Sequence, residues 1–266
     1  MPTIQHHTAG TFCWWELGTS DLEAAWKFYH TLFRWEKRDQ LMGPEQVYRI
    51  CVLEGQDVGA MYQLDSSQRE PKVGPGWLPY VAVKSADESA RLIAAAGGTV
   101  LVPPFDVMAS GRMALFDDSE GARLAIWEPR QHGGADIVRE VGTMCWNELT
   151  ARNAERARRF YSSALGWKPE LKSLGPAGDY TYWGVRGEPK SFAGMLEMTA
   201  EWGDIPPSWM TYIKVGDCDE IAAAARSAGG KVLMGPFEAP GVGRIAMLED
   251  PTGGRFSVIK FSLSGR

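Results

Sequence analysis

Apolar and polar residues alternate along residues 12–18, which predicts a β-strand near the start of the chain. The next stretch, LEAAWKFYHTLF, has apolar residues at helical spacing and follows Ser20 and Asp21, either of which can cap a helix. Three short strands are then predicted near 35–41, 46–53 and 57–64. The polar segment DSSQREPKVGPG ends the pattern, so the order is that of a βαβββ module.

The same order returns after this polar segment. LPYVAV is a predicted strand, and a helix is predicted from Asp87 to the pair Gly97-Gly98. Three further strands are predicted near 99–105, 110–117 and 122–129. The first half of the chain therefore contains two modules.

The whole chain is a tandem duplication. GTFCWWEL begins at Gly10 and GTMCWNEL at Gly142, an offset of 142 − 10 = 132 positions. The same offset relates Phe28-Tyr29 to Phe160-Tyr161, Trp35 to Trp167, Tyr80 to Tyr212 and Asp118 to Asp250. Chance does not produce such a register, so the chain contains four modules in two copies.

We therefore predict an α+β fold with two domains. Domain 1 spans 1–130 with modules at about 10–65 and 77–130, a linker spans 131–141, and domain 2 spans 142–266 with modules at about 142–199 and 208–262.

Charge and hydropathy argue against two classes of function, nucleic-acid binding and membrane insertion. The 28 basic and 33 acidic residues give a formal net charge of −5 without a Lys/Arg cluster, so nucleic-acid binding is not expected. No apolar run approaches the roughly 20 residues that cross a bilayer, and MPTIQHHTAG lacks the pattern of a signal peptide. A cytoplasmic protein without membrane contact is expected.

Cysteines and histidines are dispersed along the chain. The cysteines contain no CxxC pair and are expected to be buried free thiols: Cys13, Cys51, Cys145 and Cys218. The histidines lie in the N-terminal tail, the first helix and the linker: His6, His7, His30 and His132. We expect the tail to be flexible rather than a metal clamp.

Two duplicated segments resemble a known family. They are SDLEAAWKFYHTLFRW with its copy RNAERARRFYSSALGW, and GRMALFDDSEGARLAIWE with its copy GRIAMLEDPTGGRFSVIK. Over nearly the whole chain the sequence resembles the vicinal oxygen chelate superfamily, which includes glyoxalase I, extradiol dioxygenases and bleomycin-resistance proteins. The resemblance implies that the paired modules form two domains with curled mixed sheets, each enclosing a cup in which function lies.

The resemblance also implies where metal ligands would lie. Metal enzymes of the superfamily line the cup with His, Gln or Glu, and the matching positions are Trp14 and Trp146, Leu78 and Met210, and Ala125 and Ser257. A fourth position falls near 61–63 and 195–197. At least three of the four positions lack a useful metal ligand in both copies, and indole offers no lone pair, so we expect no metal and no cofactor.

Strand alternation places an acid beside each of these tryptophans. Glu16 shares a face with Trp14, and Glu148 with Trp146. On the last strand of each copy the same alternation places Arg123 with Trp127, and Arg255 with Ser257. This arrangement predicts either a structural Glu–Arg ion pair or a pair that orients a ligand or moves a proton, with Glu16 and Glu148 as candidate catalytic bases.

Aromatic residues complete the candidate site. Trp26, Trp35 and Trp167 are expected in the core, whereas Trp14, Trp127, Trp146 and Trp183 are candidates for the cup wall, with Tyr48 and Tyr180 among its polar tips. The candidate ligand-binding residues are Trp14, Glu16, Tyr80, Arg123, Trp127, Trp146, Glu148, Tyr182, Tyr212 and Arg255. Such walls suit flat aromatic molecules, and a cation could lie over the rings.

Two functions are compatible with these residues. The first is a metal-independent protein that binds or sequesters an aromatic or antibiotic-like small molecule. The alternative is a glyoxalase-like lyase or isomerase, or a hydroxylase- or dioxygenase-type enzyme, with a site unlike that of the family. Glyoxalase I uses a Lewis-acid metal, so the sequence favours the binding protein. Which copy works, and whether the chain is a monomer or a homodimer, stay open.

Overall fold

The computed structural model describes residues 3–43, 46–65, 74–174 and 178–262. In this part of the chain each copy forms one eight-stranded mixed sheet and two α-helices, which confirms the α+β class and the four modules. Most of the predicted break DSSQREPKVGPG, namely 66–73, lies outside the described residues. None of the described helices is long and apolar enough to cross a bilayer.

The first copy contains two consecutive modules. In the first module, β1, α1, β2, β3 and β4 span Phe12–Thr19, Leu22–Phe33, Glu36–Leu41, Val47–Leu53 and Gln56–Gln63. In the second, β5, α2, β6, β7 and β8 span Gly76–Ala82, Ala86–Ala95, Thr99–Val107, Gly111–Asp117 and Arg123–Pro129. These bounds agree with the predicted elements to within two residues at each end.

The second copy repeats this order. In its first module, β9, α3, β10, β11 and β12 span Met144–Ala151, Ala154–Leu165, Lys168–Ser173, Asp179–Gly184 and Ala193–Glu197. In its second module, β13, α4, β14, β15 and β16 span Ser208–Lys214, Cys218–Ser227, Lys231–Ala239, Gly243–Glu249 and Arg255–Phe261. A single 3₁₀ turn at Ala200–Trp202 precedes β13.

The two modules of each copy join through their first strands. The first sheet has the order β2-β3-β4-β1-β5-β8-β7-β6, and the second sheet has the matching order from β10 to β14. β1 pairs in parallel with β4 and antiparallel with β5, where Trp14 faces Tyr80 across the ladder. The register therefore brings side chains from both modules onto one face at the centre of the sheet.

The other face of each sheet builds a core that both copies share. Trp35 and Trp167 are almost fully buried, and their indole N–H groups donate across the copies, to the carbonyl oxygens of Gly142 at 2.8 Å and Gly10 at 2.7 Å. The helices also cross over, since α1 packs on α4 and α2 on α3. The two copies thus form one packed body.

Gly98, at the end of α2, shows how closely these helices approach. A Cβ added there would lie 2.8 Å from Phe160 of the other copy and 3.0 Å from the Asp117 carbonyl oxygen, closer than a side chain tolerates. Its neighbour Gly97 has a φ of +94°, a conformation that favours glycine and ends the helix. The duplicated Gly-Gly pair is therefore explained by a turn and a close contact.

Several predictions about buried residues are confirmed. All four cysteines are buried and free. Trp35 and Trp167 lie in the core, as does Trp183, which was a candidate for the cup wall. That candidacy was wrong, because the Trp183 ring packs on Tyr161 and Trp167 at the interface between the copies. Trp26 is half-buried, with the Lys37 ammonium 4.3 Å above its ring.

Candidate functional site

A cavity of about 580 Å³ lies in the first copy, against the sheet face opposite the shared core. We call it the first cup, lined by Trp14, Glu16, Tyr48, Tyr62, Leu78, Tyr80, Phe105, Met113, Trp127 and His132 among others. These residues come from seven strands and from the segment that joins the two copies. The cavity is large enough for a drug-sized molecule, for which pockets of roughly 300–1,000 Å³ are usual.

Glu16 lies at the centre of a hydrogen-bond network in this cavity. The Tyr48 hydroxyl donates to Oε1 at 2.5 Å, and the Tyr80 hydroxyl donates to Oε2 at 2.6 Å. The Trp14 indole N–H in turn donates to the Tyr48 hydroxyl at 2.8 Å. Strands β1, β3 and β5 therefore hold one carboxylate between two phenols.

The surroundings of Glu16 disfavour its charge. Burial raises the pKa of Glu16, and the hydrogen bonds from Tyr48, Tyr80 and Trp14 lower it only in part. Although protein surrounds the group, part of the Glu16 surface stays open to the cavity. The first cup therefore holds one accessible carboxyl group in a mostly aromatic wall.

Glu16 makes stability depend on pH in a defined direction. Because the pKa of Glu16 is raised in the folded protein, protonation of Glu16 favours the folded state. This contribution to stability is complete below the ordinary pKa of 4.5 and is lost as pH rises through the pKa of the folded protein. The free energy of unfolding of Glu16→Gln, relative to wild type, should therefore increase between about pH 4 and pH 8. Urea unfolding at several pH values measures this difference.

An exposed glutamate provides the control for that experiment. Glu88 is fully exposed, and its ion pair with Arg91 lowers its pKa, so Glu88→Gln should show no such increase. A difference for Glu16→Gln that stays constant across the pH range would contradict the effect of burial.

The second copy repeats the network. We call the equivalent surface the second cup, formed by Trp146, Glu148, Tyr180, Tyr182 and Tyr212. Tyr180 and Tyr212 donate to Glu148 at 2.7 and 2.9 Å, and the Trp146 indole donates to Tyr180 at 3.1 Å. Burial raises the pKa of Glu148 as it does that of Glu16. The duplication has therefore preserved the network as a unit.

The walls around the two networks differ. Sheet register places Leu196 where the first cup has Tyr62, and the sequence offset places Ile259 where it has Trp127. Tyr182 stands in for Ile50, and its ring centroid lies 4.8 Å from that of Tyr180. Apolar side chains, including those of Met210 and Phe261, pack around Tyr212 in the second cup.

Gly194 marks another difference between the cups. A Cβ added at Gly194 would overlap the Tyr180 hydroxyl, whereas the residue opposite Glu16 in the first copy is Ala60. Tyr180 thus lies directly over the strand backbone in the second cup. The two cups therefore contain the same hydrogen-bond network, but the space around it differs in shape.

His132 enters the first cup from the segment between the copies. Its ring meets the Trp14 ring edge-on at a centroid distance of 4.5 Å, and its carbonyl oxygen accepts from the Trp127 indole at 2.9 Å. Burial lowers the pKa of His132. This residue, taken from the sequence as part of a linker, is therefore part of the cavity wall.

The N-terminal tail is also held in place, contrary to our expectation of flexibility. The His7 Nε2 atom lies 2.9 Å from the Ala135 carbonyl oxygen, and the Ile4 amide donates to Asp136 at 2.7 Å. Tail and linker therefore stabilise each other through backbone groups.

The predicted Glu–Arg ion pair is wrong in both copies. Arg123 donates to Asp117 at 2.8 Å, and Arg255 pairs with Glu249 at 3.2 Å. Arg123 does share a sheet face with Trp127, but it lies at the start of β8, beside the end of β7. Alternation defines the face of a residue and not its distance along the strand, so these arginines miss the carboxylates.

The other candidate residues are brought together in two groups. Trp14, Glu16, Tyr80 and Trp127 all line the first cup. Trp146, Glu148, Tyr182 and Tyr212 surround the second network, in which Trp146 and Tyr182 have ring centroids 6.2 Å apart. Sequence reasoning missed Tyr62, Phe105 and His132.

The described residues do not fit the metal site that the family implies. The Trp14 indole has no lone pair to give to a metal, Leu78 and Ala125 have no N, O or S atom in their side chains, and Glu16 alone is too few ligands for a metal site. At the fourth position, Gln63 bonds instead to the backbone before α1, accepting from the Leu22 amide at 3.0 Å. No three His, Cys, Asp or Glu side chains form a metal-binding group within the described ranges.

Two named relatives align with almost the whole chain. A Mycobacterium tuberculosis protein provisionally named glyoxylase CFP32 is 35% identical over 261 residues, covering 98% of each chain. The anthracycline biosynthesis protein DnrV of Streptomyces peucetius is 32% identical over 262 residues, covering 94% of this chain and 93% of that protein.

Solved structures show the same fold. The 2,3-dioxygenase LapB of Pseudomonas sp. KL28 matches with a TM-score of 0.65 at 13% identity, covering 98% of this chain and 93% of that one. A Mn(II)-bound glyoxalase of Novosphingobium aromaticivorans matches with a TM-score of 0.63 at 15% identity, covering 96% and 85%.

The family that these relatives represent also matches the sequence directly. Residues 4–126 and 141–258 each match the sequence model of one family domain. The chain therefore belongs to the Glyoxalase/Bleomycin resistance protein/Dioxygenase superfamily, as a member that carries two copies of the domain.

Proposed function

We propose that this chain binds a flat aromatic small molecule in the first cup without the help of a metal. The observation that carries the proposal is the cavity of about 580 Å³, which aromatic side chains line together with the Glu16 carboxyl group. Ligand pockets in proteins typically combine such apolar walls with a few polar groups that fix orientation.

The rim of the cavity supports this proposal. Val102, Phe105 and Met108 line it and keep 38%, 43% and 65% of their surface exposed. Apolar side chains that are exposed together around a concavity mark a surface that binds another apolar group. A planar ligand that enters between these side chains would cover them and stack on the rings below.

The side chains at the family's metal-ligand positions support a role that needs no metal. In the first copy, three of the four family positions carry indole or alkyl side chains, and Glu16 is held by phenols. The name of DnrV, an anthracycline biosynthesis protein, adds chemical support, because anthracyclines are polycyclic aromatic compounds. A fused aromatic ring system is thus the ligand class that we propose.

Anthracenemethanol, a neutral three-ring compound, serves as the probe. We expect one molecule to bind per chain, detected by energy transfer from tryptophan and by calorimetry, with unchanged affinity after treatment with EDTA. Phe105→Ala should weaken binding by about threefold to tenfold, the usual contribution of one aromatic contact. Because Phe105 is 43% exposed, the fold should be retained.

Phe237→Ala is the matched control, since Phe237 is the copy of Phe105 and is 38% exposed. It should bind the probe like wild type. If Phe237→Ala weakens binding and Phe105→Ala does not, the ligand lies in the second cup. Loss of binding in EDTA would overturn the metal-free proposal.

A proton-transfer enzyme is the second candidate, favoured by one observation. Glu16 is a carboxyl group of raised pKa that is open to a cavity, as a general base requires. Under this alternative Glu16→Gln would abolish turnover of a bound substrate while the substrate still bound. Simple retention of the ligand by wild type, without chemical change, favours the binding protein.

A further inference from the structure

Glu16 has no cationic partner among the described residues. The side chains that bind its oxygens are the two neutral phenols of Tyr48 and Tyr80, and no Lys, Arg or His of the described chain forms an ion pair with it. A buried carboxylate without a counter-charge is costly. A ligand could supply the missing positive charge.

Glu16 also retains capacity to accept further hydrogen bonds. An ionised carboxylate offers about four lone-pair sites, and the phenols of Tyr48 and Tyr80 occupy two of them. Part of the Glu16 surface is open to the cavity. A donor on the ligand can therefore reach the carboxylate without displacing either tyrosine.

A second carboxylate of the lining, Asp57, differs from Glu16 because it has a cationic partner. Asp57 lines the same cavity and is 9% exposed, and its Oδ1 atom has no hydrogen-bond partner among the described residues. Arg38 reaches only the other oxygen, Oδ2, at 2.6 Å. His132 does not add a charge at neutral pH, because burial lowers its pKa. Arg38 balances the charge of Asp57, so Glu16 is the acid of this lining that lacks a basic partner among the described residues.

The aromatic side chains of the cavity also favour a positively charged ligand. The cavity that contains Glu16 is also lined by Trp14, Trp127 and Tyr62. The face of an aromatic ring attracts a cation. An acid without a basic partner among aromatic side chains favours a positive ligand and opposes a negative one.

These observations identify the class of ligand. Resting on the function proposed above, we propose that the first cup selects a flat aromatic molecule that carries a protonated amine, and that Glu16 binds the ammonium group. The rings stack between the aromatic side chains, and the amine replaces the absent counter-ion.

Three probes with the same ring system and different charge test the inference: anthracenemethylamine, anthracenemethanol and anthracene carboxylate. Wild type should bind the amine at least about tenfold more tightly than the alcohol, the usual strength of one charged hydrogen bond, and bind the carboxylate most weakly. Glu16→Gln should bind the amine and the alcohol alike. Glu148→Gln, the matched variant in the second cup, should keep the wild-type preference.

The outcomes separate the two proposals. If wild type binds the amine and the alcohol with equal affinity, the cation inference is wrong and the aromatic site stands. A preference that survives in Glu16→Gln and disappears in Glu148→Gln would place the ammonium group elsewhere and overturn the inference. If none of the probes binds, the proposed function is wrong as well. Thermal unfolding of each variant excludes loss of the fold as the cause.

Discussion

Trp167→Ala should lower the free energy of unfolding by about 3–5 kcal/mol, as truncation of a large core aromatic does. Trp167 is 1% exposed, and its ring stacks on Tyr161 with centroids 4.7 Å apart. Its other neighbours include Phe12 of the first copy, at a centroid distance of 5.8 Å. The substitution therefore opens a void at the interface between the copies and removes the bond to the Gly10 carbonyl oxygen.

Chemical denaturation followed by circular dichroism measures this loss. Trp35→Ala, the equivalent change in the first copy, should cost a similar amount, whereas Trp26→Ala, at a half-buried site, should cost clearly less. Since the copies share one core, we expect a single unfolding transition in each variant. Two separate transitions, or a loss below about 1 kcal/mol, would contradict the shared core.

Asp118→Ala should destabilise the protein by roughly 3 kcal/mol or more, because it leaves several buried donors without an acceptor. Asp118 is 4% exposed and accepts from the Glu120 and Ala122 amides at 2.7 and 2.9 Å. It also accepts from the Tyr161 hydroxyl of the other copy at 2.6 Å. Loss of the carboxylate breaks both the turn before β8 and a link between the copies.

The adjacent residue provides a matched control for this experiment. Asp117 pairs with Arg123 in a partly exposed ion pair, so Asp117→Ala should cost about 1 kcal/mol or less. Asp250→Ala should match Asp118→Ala, since Asp250 holds the equivalent turn and accepts from Tyr29 at 3.0 Å. Equal effects of Asp117→Ala and Asp118→Ala in urea unfolding would show that burial does not matter here.

Local signals in the sequence were sufficient to predict the modules. The helix α1 begins where Asp21 accepts from the Glu23 and Ala24 amides, as a capping residue at that position predicts. The duplication fixed the second copy once the first was understood. Strand order could be taken only from the resemblance, because pairing of β1 with β5 joins residues that are 58 to 69 positions apart.

The candidate site was predicted in part, and its errors have a common cause. Alternation correctly placed Trp14 and Glu16 on one face, but the partners of Glu16 depend on strand register, which the sequence does not reveal. One signal was available: Tyr48 and Tyr80 recur at the duplication offset, as Tyr180 and Tyr212. A polar residue that is kept in both copies of a strand indicates a side chain that forms a hydrogen bond.

His132 could not be found in this way. Its equivalent position in the second copy is 264, which lies outside the described residues, and the segment after β8 carries no periodic pattern. Backbone bonds determine its place, including the bond from the His132 amide to the Ser110 carbonyl oxygen at 3.0 Å. Such bonds leave no trace in side-chain identity.

The two faces of strand β1 have different roles. Trp14 and Glu16 line the cavity, while Trp15 and Leu17 are buried in the core, where the Trp15 indole donates to Asn147 at 3.0 Å. The codons of Trp14 and Glu16 can therefore be varied in a directed-evolution library without touching Trp15 or Leu17, which pack in the shared core. New binding specificities could be selected from one half, with the unaltered twin as an internal reference.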